Sequence, residues 1–314
     1  MRMSGPLIDV HMHVFPSAAV GAWVKADCEI WEYGDHAGVP FSPATGELAE
    51  LRRAITTAGL DRAVAVNCFS IEEWQDRWFA GLSEGLPVGR LPAEAPASLF
   101  TEWLIGVNEW LVDAAMGVPE VIPFVAIDPW VLPAKLATGH LNRMRERGAR
   151  GVKLHPVAQR VRFSDESTQR LLQLCADLEL VVLTHSGTAR GPVPFAEPDT
   201  FRPSGRLSSL RLIVAHLGGG SWAQTTDLAR RWPQAVFDLS EIIAWTGAPN
   251  APSRTQLVGM IRDIGVERVL FGSDFPWYEP AGMMAAVSAL PGLSAAERDA
   301  ILGENAARVL SLTG

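Results

Sequence analysis

Eight short apolar runs, rich in β-branched residues and bounded by Gly, Pro or Asp, recur along the chain: LIDVHMHV, RAVAVNCF, VIPFVAID, GVKLHP, VVLTHSG, LRLIVAHLG, AVFDLS and RVLFGSDFP. Their length and composition predict strands. Segments with helical periodicity lie between most of them, among them ATGELAELRRAITTAG, PAKLATGHLNRMRERG, DESTQRLLQLCADLE, SWAQTTDLARRWPQ and SRTQLVGMIRDIG. Strand and helix therefore alternate. Eight such units fit a (β/α)8 TIM barrel better than a doubly wound open sheet, which more often stops at five or six strands. The connections are unequal as well. Links from helix to following strand are short (AGLD, GARG, WPQ, IGVE), whereas residues 15–45, residues 69–118 and the stretch GTARGPVPFAEPDTFRPSG form long insertions after strands. In a barrel such loops gather at the carboxyl-terminal face of the strands, where active sites of this fold sit. The expected architecture is a single α/β domain over residues 1–314, a TIM barrel with helical and loop insertions at that face.

The first run raises a chemical question. Strict alternation puts Ile8, Val10, Met12 and Val14 on one side and Asp9, His11 and His13 on the other. Two imidazoles two apart stand side by side and can grip one ion, although the same pattern suits the polar face of an edge strand. The other runs bear on the choice. His155, His185, His216 and Asp274 follow directly on apolar segments of four further strands. Side chains from separate strands would then converge at the barrel mouth, a metal-site arrangement. Imidazoles with a carboxylate suit Zn²⁺, or else Mn²⁺, Fe²⁺ or Co²⁺, and not the all-oxygen shells of Ca²⁺ or Mg²⁺. One divalent ion, zinc by default, is the expected cofactor. With an open position it lowers the pKa of bound water towards ~7 and so readies attack on a carbonyl. Asp9, deeper in the strand, reads as a buried acid supporting the histidines.

Composition narrows the partners. The chain has 314 residues, 48% hydrophobic and 20% charged, an ordinary globular balance. A net charge of −8 without a basic run argues against nucleic acid and against an anionic membrane surface. A small-molecule substrate is the expected partner, and a homo-oligomer is compatible with everything above. Cys28, Cys68 and Cys175 are scattered and outside any CxxC pattern, so neither a disulfide framework nor a cysteine-zinc site is indicated. No leader-like pattern precedes the first strand and no run is long enough to span a bilayer, so a cytoplasmic enzyme is expected.

As an ordered set, DVHMH, GVKLHP, THSG, AHLGG, GSDFPW and the ending ILGENAARVLSL resemble the amidohydrolase-related (amidohydrolase 2) branch of the amidohydrolase superfamily. The resemblance runs from about Leu7 to Leu312. That branch includes metal-dependent hydrolases and the aminocarboxymuconate semialdehyde decarboxylase. Position by position, the resemblance implies metal ligands at His11, His13 and His185, with Asp274 as a further ligand or as the base orienting the water. His216 is then the catalytic histidine. Lys153 has two readings in such a family: a carboxylated bridge between two ions, or, with His155 in a KLHP pattern, a partner for substrate anions beside a single ion. The second is preferred, and a purely structural Lys153 neutralising nearby carboxylates stays open beside it. Trp277, directly after SDFP, is a candidate pocket wall, and Arg160 or Arg190 a candidate clamp for a substrate carboxylate. Trp23, Trp31, Trp74, Trp78, Trp103 and Trp110 lie in the two large insertions, where they wall a pocket or pack helices onto the barrel. Hydrolysis of an amide, ester or lactone is the expected activity. Non-oxidative decarboxylation of a conjugated or aromatic acid is the alternative, and a silent ligand-binding barrel ranks third because every candidate ligand is present.

Overall fold

The computed structural model describes residues 5–31, 40–67, 97–188, 193–249 and 251–312. Strands β1 (Ile8–His13), β2 (Arg62–Val66), β3 (Val121–Ala126), β4 (Gly151–Leu154), β5 (Val181–Thr184), β6 (Leu212–Val214), β7 (Val236–Asp238) and β8 (Val269–Leu270) pair in parallel in sequence order. The ring closes through Val10 N–H to Phe271 O (3.0 Å) and Asp274 N–H to His11 O (2.9 Å). The fold is therefore the expected (β/α)8 barrel. All but one of the strand residues are buried, Arg62 being exposed, which is why the strands read as continuous apolar runs instead of alternating ones.

Helices cover the outside. Five of the periodic segments form helices over Leu48–Ala58, Ala134–Glu146, Glu166–Asp177, Thr225–Arg231 and Arg254–Ile264. Two of the insertions add helices over Ala18–Trp31 and Ala97–Ala115. Trp23 and Trp103 of these helices are buried in the layer between helices and barrel, so they pack the insertions down. Trp74 and Trp78 lie outside the described residues. Among those described, no helix is long and apolar enough to cross a membrane. Cys175, the cysteine described with its side chain, is buried and free, and burial pushes its thiol up to about 12.

The alternation expected for β1 is corrected by the structure. Its register against β2 shifts between Asp9 and Met12. On either side of that bulge Val10 packs inside the barrel with Val64, Val66 and Phe124, whereas Met12 packs outward with Ala63 and Ala65. One extra residue in a strand flips the faces beyond it, and bulges of this kind concentrate beside active sites. On β4, Lys153 occupies a barrel-interior position between the outward-facing Val152 and Leu154. Gly151 precedes it because a Cβ there would stand 2.4 Å from the Val181 carbonyl oxygen and 2.5 Å from the Phe124 ring.

Candidate metal centre

The carboxyl ends of the strands bring the imidazoles together. His11 Nε2 stands 3.2 Å from His13 Nε2 and 3.4 Å from Asp274 Oδ1, and His13 Nε2 is 3.5 Å from the same oxygen. Donors bound tetrahedrally at about 2.0–2.1 Å stand roughly 3.3–3.4 Å apart. The three atoms thus have the spacing of one face of a zinc-like shell, and the donor set fits a divalent ion. His11, His216 and Asp274 form an overlapping group whose ligand atoms lie within 4.8 Å of one another.

The remaining histidines continue from that group. His216 Nε2 is 3.1 Å from His185 Nδ1, and the His185 ring stacks on His155 with centroids 4.0 Å apart. His155 also caps a short helix, Pro156–Gln159, by accepting from Ala158 N–H at 3.2 Å. Neither that turn nor the one over Ile242–Trp245 has a periodic signature in the sequence, being a single turn long. Lys153 Nζ lies 2.6 Å from His11 Nε2, so a buried cation borders the donor triangle. Trp277 sets its ring edge-on to His13, with centroids 5.0 Å apart.

Electrostatics suit these imidazoles to act as lone-pair donors. Burial holds His11, His13, His155 and His216 well below the ordinary histidine value, and the Lys153 ammonium and neighbouring imidazoles add to the effect. Neutral rings are what metal ligation and proton acceptance require. Burial also raises the Asp9 carboxyl to about 7, against the pull of hydrogen bonds from Ser273 and from the His11 backbone.

Backbone strain concentrates here. His216, Glu241 and Asp274, just beyond β6, β7 and β8, have φ of 58°, 62° and 60°. Non-glycine residues in the left-handed region cost roughly 1–2 kcal/mol each and mark functional sites when the surroundings enforce them.

Set against the sequence, the structure brings His11, His13, His155, His185, His216, Asp274, Lys153 and Trp277 to one end of the barrel. His216 groups with His11 and Asp274, and His185 stands beside that group with its Nδ1 3.1 Å from His216 Nε2. Arg190 lies outside the described residues. Arg160 is exposed at the end of the Pro156–Gln159 turn. Sequence reasoning missed Asp238, the last residue of β7, and Ser240 and Glu241 just after it, all buried. Their signal was a polar residue closing the run AVFDLS, the same feature that singled out the strand-end histidines. A cleft of about 510 Å³ lined by Arg150, Val181, Arg211 and Ser311 opens at the opposite, amino-terminal end of the strands, away from this chemistry.

The chain resembles several solved structures along its whole length. An uncharacterised TIM-barrel protein from Bordetella bronchiseptica shares 18% identity over 98% of each chain with a TM-score of 0.69. A Pseudomonas putida protein assigned as a 2-pyrone-4,6-dicarboxylic acid hydrolase shares 19% over 99% of this chain and 100% of that one, at 0.64. A dihydroxybenzoic acid decarboxylase from Polaromonas sp. JS666, solved with bound manganese and an inhibitor, shares 13% over 98% and 97%, at 0.64. At these identities the likeness is one of fold, and it spans hydrolases and decarboxylases alike. No curated protein matches the chain in sequence. The amidohydrolase family profile, however, matches residues 8–312, nearly the whole barrel with its strand-end histidines, and the chain belongs to the amidohydrolase family.

Proposed function

We propose that the protein is a metal-dependent hydrolase of a small-molecule amide, ester or lactone, with a single divalent ion, zinc first, held by His11, His13 and Asp274. The observation that carries this reading is the triangle of donors 3.2–3.5 Å apart in a buried, neutral-histidine environment. An ion bound there supplies Lewis-acid polarisation and an acidified water. The chain's own groups do the rest. His216 presents Nε2 as a proton acceptor while its Nδ1 is held by Ser240 Oγ at 2.9 Å and Glu241 Oε2 at 3.3 Å. Asp274 accepts or relays a proton beside the donor pair, and the buried Lys153 ammonium receives negative charge on the substrate.

That same buried cation supports the second reading, non-oxidative decarboxylation, because it would seat a substrate carboxylate next to His11. One experiment separates the two. Metal-loaded protein is screened against lactones, esters, amides and conjugated aromatic acids, following acid release and carbon dioxide in the same reactions. Incorporation of ¹⁸O from labelled water without carbon dioxide supports hydrolysis. Carbon dioxide release without ¹⁸O in the organic product assigns the protein as a lyase and overturns the first reading.

A further inference from the structure

The end of β7 and the residues just after it touch both halves of the histidine cluster. Asp238 Oδ2 is 3.1 Å from His11 Nδ1, while Asp238 Oδ1 accepts from the backbone N–H groups of His216 (2.9 Å) and Ser240 (3.0 Å). The Ser240 hydroxyl donates to Asp238 Oδ1. A serine hydroxyl has one proton, and here the carboxylate takes it. Its oxygen is then left only with lone pairs, and two imidazole nitrogens face them: His216 Nδ1 at 2.9 Å and His11 Nδ1 at 3.1 Å. Every other neighbour agrees in polarity. Around His216 Nδ1 stand Glu241 Oε2 at 3.3 Å and the Ser240 carbonyl at 3.4 Å, both acceptors. Around His11 Nδ1 stands Asp238 Oδ2. Each of these contacts is satisfied only if the imidazole carries its proton on Nδ1.

We propose that Asp238, through its own carboxylate and the Ser240 hydroxyl oriented by it, fixes the Nδ1–H tautomer of both His11 and His216 and so leaves both Nε2 atoms without a proton, as lone-pair donors at the barrel mouth. Asp238 and Ser240 are positioning residues: they act through the two rings and do not themselves reach the donor triangle. The arrangement rests on reading that triangle as a metal centre, and it goes further by naming what orients it. Ligating histidines are generally held in this way through their other ring nitrogen, and loss of such a partner weakens metal binding 10–100-fold. Here one serine oxygen serves two rings, so a single change just beyond β7 acts on a triangle donor and on the candidate proton acceptor together.

The test begins with metal-free wild-type protein labelled with ¹⁵N-histidine at pH 7.5, where burial keeps both rings neutral. Long-range ¹⁵N–¹H correlation spectra distinguish the two tautomers, with signals assigned by His11→Gln and His216→Gln. Both rings are expected as Nδ1–H. Asp238→Asn keeps the shape but can turn an amide N–H towards His11 Nδ1. It is expected to move His11 to the Nε2–H form and to weaken Zn²⁺ binding 10–100-fold in competition with a chromophoric chelator. Ser240→Ala, which leaves Asp238 on His11, is expected to cost less than Asp238→Asn. Either ring found as Nε2–H in the wild type, or an Asp238→Asn affinity within twofold of wild type, overturns the proposal. The wild-type spectrum decides even if a variant does not fold. A failure of the hydrolase reading alone would leave tautomers and affinities as stated and show only as absent turnover.

Discussion

Replacing His13 with alanine removes one corner of the donor triangle and leaves His11, His216 and Asp274 in place, so it asks which of the two overlapping groups holds the ion. A bound ion stabilises the folded state by RT ln(1 + [M]/Kd), about 2.7 kcal/mol at a free metal concentration of 100 Kd. For 314 residues, unfolding entropy of about 2.1 cal/mol/K per residue makes each kcal/mol worth roughly 1.5 °C, so the ion should raise the wild-type Tm by about 4 °C. Loss of an outer partner already weakens metal binding 10–100-fold, and loss of a direct donor should cost at least the upper end. At the same metal concentration the variant then sits no higher than its own Kd. It gains at most about 0.4 kcal/mol, less than about 1 °C. Thermal unfolding of each protein with and without Zn²⁺ or Mn²⁺, each compared with its own metal-free form, measures the shift. Elemental analysis counts ions per chain. His11→Ala/His13→Ala serves as the control that should lose the ion whichever group holds it. A full 4 °C shift and unchanged stoichiometry in His13→Ala, together with their loss in His216→Ala, would refute the triangle and move the ion to His11, His216 and Asp274.

Two further predictions concern the scaffold. Gly151→Ala drives a methyl group into the Val181 carbonyl and the Phe124 ring, neither of which can retreat within a closed barrel. Its cost should reach the upper end of the 1–3 kcal/mol typical of overpacking, read as a lower urea midpoint at constant m, with partial recovery in Gly151→Ala/Phe124→Leu. His140, remote from the site, accepts from Asn108 Nδ2 at 3.0 Å and is held at about 4, first by burial and then by Arg143. Its folded value is depressed, so the stability it leaves intact above about pH 6.5 is lost as pH falls from there towards 4. The limit is about 1.4 kcal/mol per pH unit, and His140→Leu should flatten that part of the profile. An unchanged slope in the variant would mean that His140 is not the group responsible.

The barrel was legible because the strands, Arg62 apart, are buried on both faces, and each either ends in a polar residue or is followed by one within three positions, so apolar runs and the histidines at their ends stood out without any knowledge of pairing. The site was legible as a set of side chains and much less so as an arrangement. The bulge in β1 leaves no mark in LIDVHMHV, because its cause is the register against β2, yet it decides which way Val10 and Met12 face. The contact between His11 and Asp238 joins positions 227 residues apart. A single carboxylate at the end of AVFDLS looked no different from any strand-end acid. Which nitrogen of His11 is available to a metal is therefore written in β7 and not in the HMH motif.

The left-handed residues were invisible for a related reason: their conformation contradicts local preference and is imposed by what surrounds them. That makes their cost measurable. At an ordinary position glycine is less stable than alanine by roughly 0.5–1 kcal/mol, because the unfolded glycine has more freedom to lose. At His216, with φ of 58°, the order should invert. Both His216→Ala and His216→Gly lose the ring and leave Ser240 and Glu241 without it, so the difference between them isolates the backbone. Relief of about 1–2 kcal/mol of left-handed strain against that entropy penalty predicts His216→Gly to be the more stable of the pair, by up to about 1.5 kcal/mol. Chemical denaturation of the two metal-free variants measures it. If His216→Ala proves the more stable, the turn after β6 relaxes freely, and strain is no part of how the ring is held over the site.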